Sequence, residues 1–107
     1  MSNLDDRKRA AEHKFAHDAE MEFKTIARRN KLLGLWAAEK LGKSGEDAAS
    51  YAKDVVMADL ETEGHDDLIG KLIQDFGRAG VAVHISEIQQ KMDELLPIAR
   101  KQMLEGK

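Results

Sequence analysis

The chain contains no cysteine and a single proline in 107 residues. Without cysteine there are no disulfides and no thiolate metal sites. With one proline there is little to interrupt a helix, and few β-branched runs stand against abundant Ala, Leu, Lys and Glu, so the composition favours helix throughout. Long apolar runs are missing too. No stretch approaches the roughly 18 apolar residues of a membrane span, and no apolar run follows a basic start as in a secretory leader. A soluble, cytoplasmic chain with no membrane insertion is the expectation. A strong excess of positive charge is also lacking: the net charge is −3, which argues against a dedicated nucleic-acid binder.

What remains is enough for one small domain. Apolar residues make up 42% of the chain, sufficient for a modest core, and charged residues 35%, so much of the surface is Lys, Arg, Asp and Glu. The distribution is uneven. Positions 1–17 (MSNLDDRKRAAEHKFAH) alternate acidic, basic and small residues, with Leu4 and Phe15 as the main apolar anchors. Such a segment buries too little apolar surface alone to offset its ordering entropy. From Asp18 onward the chain runs in apolar helical periods. The expected architecture is all-α, a four-helix bundle (18–107) preceded by a mobile interaction arm (1–17).

The first helix is expected from about Ala19 to Leu41, with Phe23, Ile26, Ala27, Leu33, Ala37 and Leu41 on one face and Gly42 as its stop. Leu32, Leu35 and Trp36 fall outside that face, the mark of a helix either central in its bundle or part of a binding surface. Asn30 lies on the core face and needs hydrogen-bond partners there. The second is expected over about Glu46–Glu63, with a stripe of Ala48, Tyr51, Ala52, Val55 and Val56. The third, about Asp66–Arg78, turns Leu68, Ile69, Leu72, Ile73 and Phe76 to the core, and Gly70 and Gly77 weaken it. The fourth follows Ser86, where Gln89 completes a capping box. Ile88, Met92, Leu95, Leu96, Ala99 and Met103 continue its stripe, and Pro97 within the pattern predicts a kink near Asp93–Leu96.

Short motifs carry little chemistry. Gly42-Lys43-Ser44 resembles the end of a phosphate-binding loop, but Ala37 occupies the position of the required first glycine and helix precedes it, so an interhelical turn is expected. Asp59, Glu61, Glu63 and Gly64 echo the start of a calcium loop, but Gly70 stands where a bidentate Glu is required. His13 and His17 are spaced i, i+4, and two ligands make a poor zinc site. No metal, no cofactor and no catalytic residue is expected, and the chain does not read as an enzyme. Lys24, Arg28 and Lys31, continued by Arg29, form a basic strip on the first helix, with Glu20 placed to pair with Lys24. Arg28, Arg29, Lys31 and Trp36 are the candidate residues for a small ligand such as a nucleotide or metabolite.

Three blocks carry a specific resemblance. KFAHDAEMEFK, then ARRNKLLGLWAAEKLG (Ala27–Gly42), then YAKDVVMADLE (Tyr51–Glu61) resemble the ζ subunit family of alphaproteobacterial F-type ATP synthases, over essentially the whole chain. The resemblance implies a four-helix body with an N-terminal arm that inhibits ATP hydrolysis. It implies that the arm enters a catalytic interface between α and β subunits, near γ, and blocks rotation in the hydrolytic direction. The free protein is expected to be a monomer, peripheral to the inner membrane when bound to the synthase. Leu4 and Phe15 would fill apolar pockets, and Asp5, Asp6, Arg7, Lys8, Arg9, Glu12 and Lys14 would pair with charges along the walls. Where the family pattern carries a bulky aromatic ahead of the arm's glutamate, this chain has Ala11 before Glu12, leaving Phe15 as the main anchor. The alternative is a helical ligand-binding module without inhibitory activity.

Overall fold

The computed structural model describes residues 3–60 and 66–106, with side chains for 19–59 and 66–106. It is all-helical among these residues: α1 (Asn3–Lys40), α2 (Gly45–Leu60), α3 (Asp66–Ala79) and α4 (Ile85–Leu104). Helix α1 is central. Its most extensive contact is with α2 and the next with α4, while α3 packs on α2 and more sparsely on α4. The 66 Å long axis reflects α1, whose residues at 1.5 Å rise span about 57 Å.

Two expected boundaries move. Helix α1 begins at Asn3, not near Ala19. No Gly or Pro precedes Gly34, and Asp5 with Arg9 and Lys8 with Glu12 stand at i, i+4, so the polar segment has the propensity of a helix though not the apolar pattern of one. Helix α4 begins at Ile85 behind an N-cap His84 whose side chain makes no capping bond. Amide groups of Glu87 and Ile88 bond instead to the His84 carbonyl, which puts Ser86 inside the first turn and leaves the expected capping box unformed. The helix then continues through Pro97 to Leu104.

The turn after α1 closes as Gly42 suggested. Gly42 has φ 78°, and the Lys43 amide bonds the Ala38 carbonyl while that of Gly42 bonds Glu39, the paired pattern that ends a helix on a left-handed residue. Gly80 repeats this geometry after α3, through Val81 to Phe76 and Gly80 to Gly77. The Gly42-Lys43-Ser44 sequence is therefore an interhelical turn.

The core comprises Leu33, Ala37 and Ala38 of α1, Tyr51 and Val55 of α2, Leu68, Leu72 and Phe76 of α3, and Ile88 and Met92 of α4. Trp36 is half-buried and meets Phe76 edge-on at 6.1 Å. Leu32 and Leu35 are also half-buried, as befits a helix with neighbours on more than one side. One member of the expected α1 face is misplaced: Phe23 is 58% exposed. The buried stripe of α1 begins instead with Thr25, Arg29 and Asn30, then runs through Leu33, Gly34, Ala37 and Ala38.

Among the described glycines, only Gly34 packs tightly against a neighbouring helix. A Cβ there would lie 2.6 Å from the Cα of Ala52 and 3.1 Å from its Cβ. Gly70 on α3 faces open space. Alanine at the two positions should therefore act in opposite directions. Gly34→Ala should destabilise the bundle by about 1–3 kcal/mol through overpacking. Gly70→Ala should stabilise it by about 0.5–1 kcal/mol through helix propensity alone. Urea unfolding followed by circular dichroism checks both signs.

Candidate functional site

Residues Leu4, Asp5, Asp6, Arg7, Lys8, Arg9, Ala11, Glu12, Lys14 and Phe15 all fall on the N-terminal part of α1, and their side chains lie outside the described residues. His13 and His17 share that segment. The described site starts where α1 meets the rest of the bundle.

Two contacts tie α4 to α1 there. Arg28 donates from Nε to Gln102 Oε1 at 2.7 Å, and Arg100 pairs with Glu22 at 3.3 Å. Across the helix, Arg29 is 6% exposed and donates to Asn30 Oδ1 from Nε (3.1 Å) and from a terminal nitrogen (3.0 Å). Asn30, 2% exposed, donates in turn to Asp59 Oδ2 at 2.7 Å. Burial pulls the Arg29 guanidinium below its ordinary value, and Asp59, Asp93 and Glu22 act against that shift. The partners that Asn30 required from the sequence are thus a buried arginine and a carboxylate from α2. Thr25, fully buried on the same stripe, has a hydroxyl with no hydrogen-bond partner among the described residues.

The four candidate ligand residues do not converge. Arg28 and Lys31 line an apolar groove of about 420 Å³ with Phe23, Ala27, Val56 and Met103. Arg29 faces a different cleft, beside Asp66 and Asp93. Trp36 packs on Phe76, with Lys40 Nζ 5.2 Å from its ring centroid. Lys24, also on the groove, pairs with Glu20 at 3.1 Å as the spacing suggested. Both side chains of that pair are more than half exposed, so its contribution to stability is small. The groove residues from α2 and α4 were not recognisable from the sequence, where Val56 and Met103 read as core. The signal for the α1 wall was present: Phe23 and Ala27 interleave with Lys24, Arg28 and Lys31.

A second cleft, about 360 Å³, opens at the other end of the body between the α1–α2 turn and α3. Tyr51 donates its phenol to Asp75 Oδ2 at 2.7 Å. Lys71 pairs with the same oxygen at 3.0 Å, and Lys43, Arg78 and Leu41 complete the lining. Lys71 and Lys43 also stand 5.1 and 5.8 Å from the Tyr51 ring centroid. Partial burial pushes the Asp75 carboxyl up, but the hydrogen bonds from Tyr51 and Lys71 and the charges of Lys71 and Arg78 outweigh it, leaving it below the usual value. Burial and the bond to Asp75 push the Tyr51 phenol far above its usual value.

Among the described residues no group of three or more His, Cys, Asp or Glu could hold a metal ion. None of the described helices is long and apolar enough to cross a membrane. A sequence profile of the family described as ATPase inhibitor subunit zeta matches residues 1–102. A protein whose structure was determined by NMR in solution is 42% identical, over 81% of this chain and 99% of its own, with a TM-score of 0.72. No curated protein matches the chain.

Two predictions follow from the polar groups. Thr25→Val removes an unpaired buried hydroxyl at nearly constant shape and should be neutral to stabilising by about 1 kcal/mol. Asn30→Val removes the amide that bonds both Arg29 and Asp59 and should cost about 1–3 kcal/mol. Chemical unfolding of the two variants tests the contrast.

Tyr51 is the chain's only tyrosine, so phenolate absorbance reports it alone. Its raised native pKa contributes stability that is complete below the unfolded value near pH 10 and is lost as pH rises above it. Phenolate absorbance should appear only together with loss of helical circular dichroism. Titration near pH 10 with helicity intact would contradict the buried Tyr51–Asp75 bond.

Proposed function

Because the chain belongs to the ATPase inhibitor subunit zeta family, we propose that it inhibits ATP hydrolysis by an F-type ATP synthase through its N-terminal segment. Inhibitor subunits of this description are regulatory proteins, and the action required is binding, not chemistry. The observation that carries the mechanism is the continuity of α1: one helix runs from Asn3 to the residues locked in the bundle core. A segment joined to the body without a hinge residue is placed by the body. Seating it at an α/β catalytic interface, beside γ, would obstruct the rotation that hydrolysis drives.

On a helical backbone Leu4, Ala11 and Phe15 stand at i, i+7 and i+11 and share one stripe. Phe15 is the bulky member and is assigned the main apolar pocket. Asp5, Asp6, Arg7, Lys8, Arg9, Glu12 and Lys14 lie around that stripe and would meet charges on the walls of the interface. The body holds the segment at the right height and angle through the α1–α2 and α1–α4 contacts.

The Tyr51 cleft favours a second reading, a weak site for a small anion, because Lys43, Lys71 and Arg78 face a single carboxylate, Asp75. Calorimetric titration with phosphate and nucleotides, repeated on Lys43→Ala, separates this reading from the first.

Steady-state ATPase assays of the synthase head test the inhibitory reading. Deleting residues 1–14 should abolish inhibition while the circular-dichroism melt of the body is retained. Phe15→Ala should weaken inhibition by about 1–4 kcal/mol, the range for an aromatic anchor. Ala11→Phe should strengthen it by adding bulk to the same stripe. Equal inhibition by truncated and full-length protein would place the active surface on the bundle instead.

A further inference from the structure

The basic apolar groove at the base of the N-terminal segment has no role in the function proposed above. Helix α1 supplies one wall, α2 the other, and Met103 of α4 the end. Lys31 and Val56 also line an adjoining hollow of about 360 Å³ that reaches Ala49 and Lys53, so the groove continues along the α1–α2 seam. Its surface combines two features. Phe23, one of only three phenylalanines, is spent on solvent at 58% exposure. The rim is positive on a protein whose net charge is −3. Lys24 is neutralised by Glu20, and Arg28 bonds the neutral Gln102. Lys31 and Lys53 are exposed and form no ion pair among the described residues.

We infer that this groove docks a helical segment of the partner ATPase that carries an apolar stripe flanked by carboxylates. The inference rests on the inhibitory reading and adds a second contact to it. Three arguments select the occupant. An apolar floor with a cationic rim is complementary to an amphipathic acidic surface. The elements flanking the groove are helices, so no strand edge is available for an added strand, and side chains must do the recognising, as they do when a helix lies in a groove. Finally, Phe23 lies two turns beyond Phe15 on the same helix, so a partner gripping the N-terminal segment is already beside the groove. Docking there would set the depth and rotation at which α1 enters the catalytic interface.

The chain's lack of cysteine makes the test clean. Lys53→Cys is labelled with a benzophenone maleimide, mixed with the purified catalytic head, irradiated, and the cross-linked peptide identified by mass spectrometry. The expected product joins Cys at 53 to a head segment with Asp or Glu beside apolar residues at helical spacing. A segment without carboxylates, or a second copy of this chain, would overturn the proposal. In parallel, Phe23→Ser and the double variant Lys31→Glu/Lys53→Glu are assayed in the full chain. Both should raise the half-inhibitory concentration about tenfold and leave maximal inhibition and the thermal melt unchanged, since all three side chains are exposed. Unchanged half-inhibitory concentrations for both, with wild type inhibiting, would refute the groove alone. Failure of the wild-type chain to bind or inhibit the head would refute the inhibitory reading beneath it. Loss of binding to anionic vesicles in the same variants, with head binding intact, would reassign the groove to a membrane surface.

Discussion

The bundle is organised by a close approach between two backbones, α1 at Gly34 against α2 at Ala52. No side chain can stand between them, because even a methyl group on Gly34 would lie 2.6 Å from the Ala52 Cα. Small residues continue on both sides, with Ala37, Ala38 and Ala52 all fully buried. Contact at this distance fixes both the spacing and the crossing of the helices and lets Leu33 and Val55 fill the core around it. The α1–α2 pair is then a stiff unit on which α3 and α4 lay their apolar faces.

The close contact anchors the C-terminal part of α1 in the body. The anchoring is not apolar along its whole length. Where α1 leaves the small-residue contact, its buried positions become Asn30, Arg29 and Thr25. Asn30 and Arg29 are held by a chain of hydrogen bonds to Asp59, which joins α1 to α2 by geometry rather than by area. Hydrogen bonds fix rotation about the helix axis more strictly than methyl groups do, because donors and acceptors must align. The Glu22–Arg100 and Arg28–Gln102 contacts do the same for α4.

The shift from small to polar buried residues also explains what could and could not be read from the sequence. The stripes of α2, α3 and α4 are apolar at helical spacing, and the expected members are buried or half-buried in each. The same period fails on the first half of α1, where Phe23 points to solvent and a threonine and an arginine point inward. An apolar count misplaces Phe23 there, although Ile26 and Ala27 are half-buried and Asn30 was legible as a buried group in need of partners. The start of α1 was missed for a related reason: residues 3–18 have helical propensity without an apolar stripe, and periodicity detects only the stripe. The capping box at Ser86 failed because the Val81–Val83 connection delivers the chain to α4 two residues earlier, with Val81 and Val83 packed on the core.

The sequence by itself determined the helical class, the turn at Gly42, three of the four buried stripes and the family to which the chain belongs. Each of these is local or is written in long runs of residue identity. Tertiary structure alone decided which neighbours meet: that Gly34 exists to admit Ala52, that Arg29 is buried beside Asp59 while Arg28 turns to Gln102, and that Tyr51 finds Asp75. It also decided that Phe23, Val56 and Met103, from three different helices, share one groove. The reason is physical. Propensity and period act within a helix, over a few residues, whereas a groove or a close crossing is a property of how helices are rotated and spaced against one another, and that is set only when they pack.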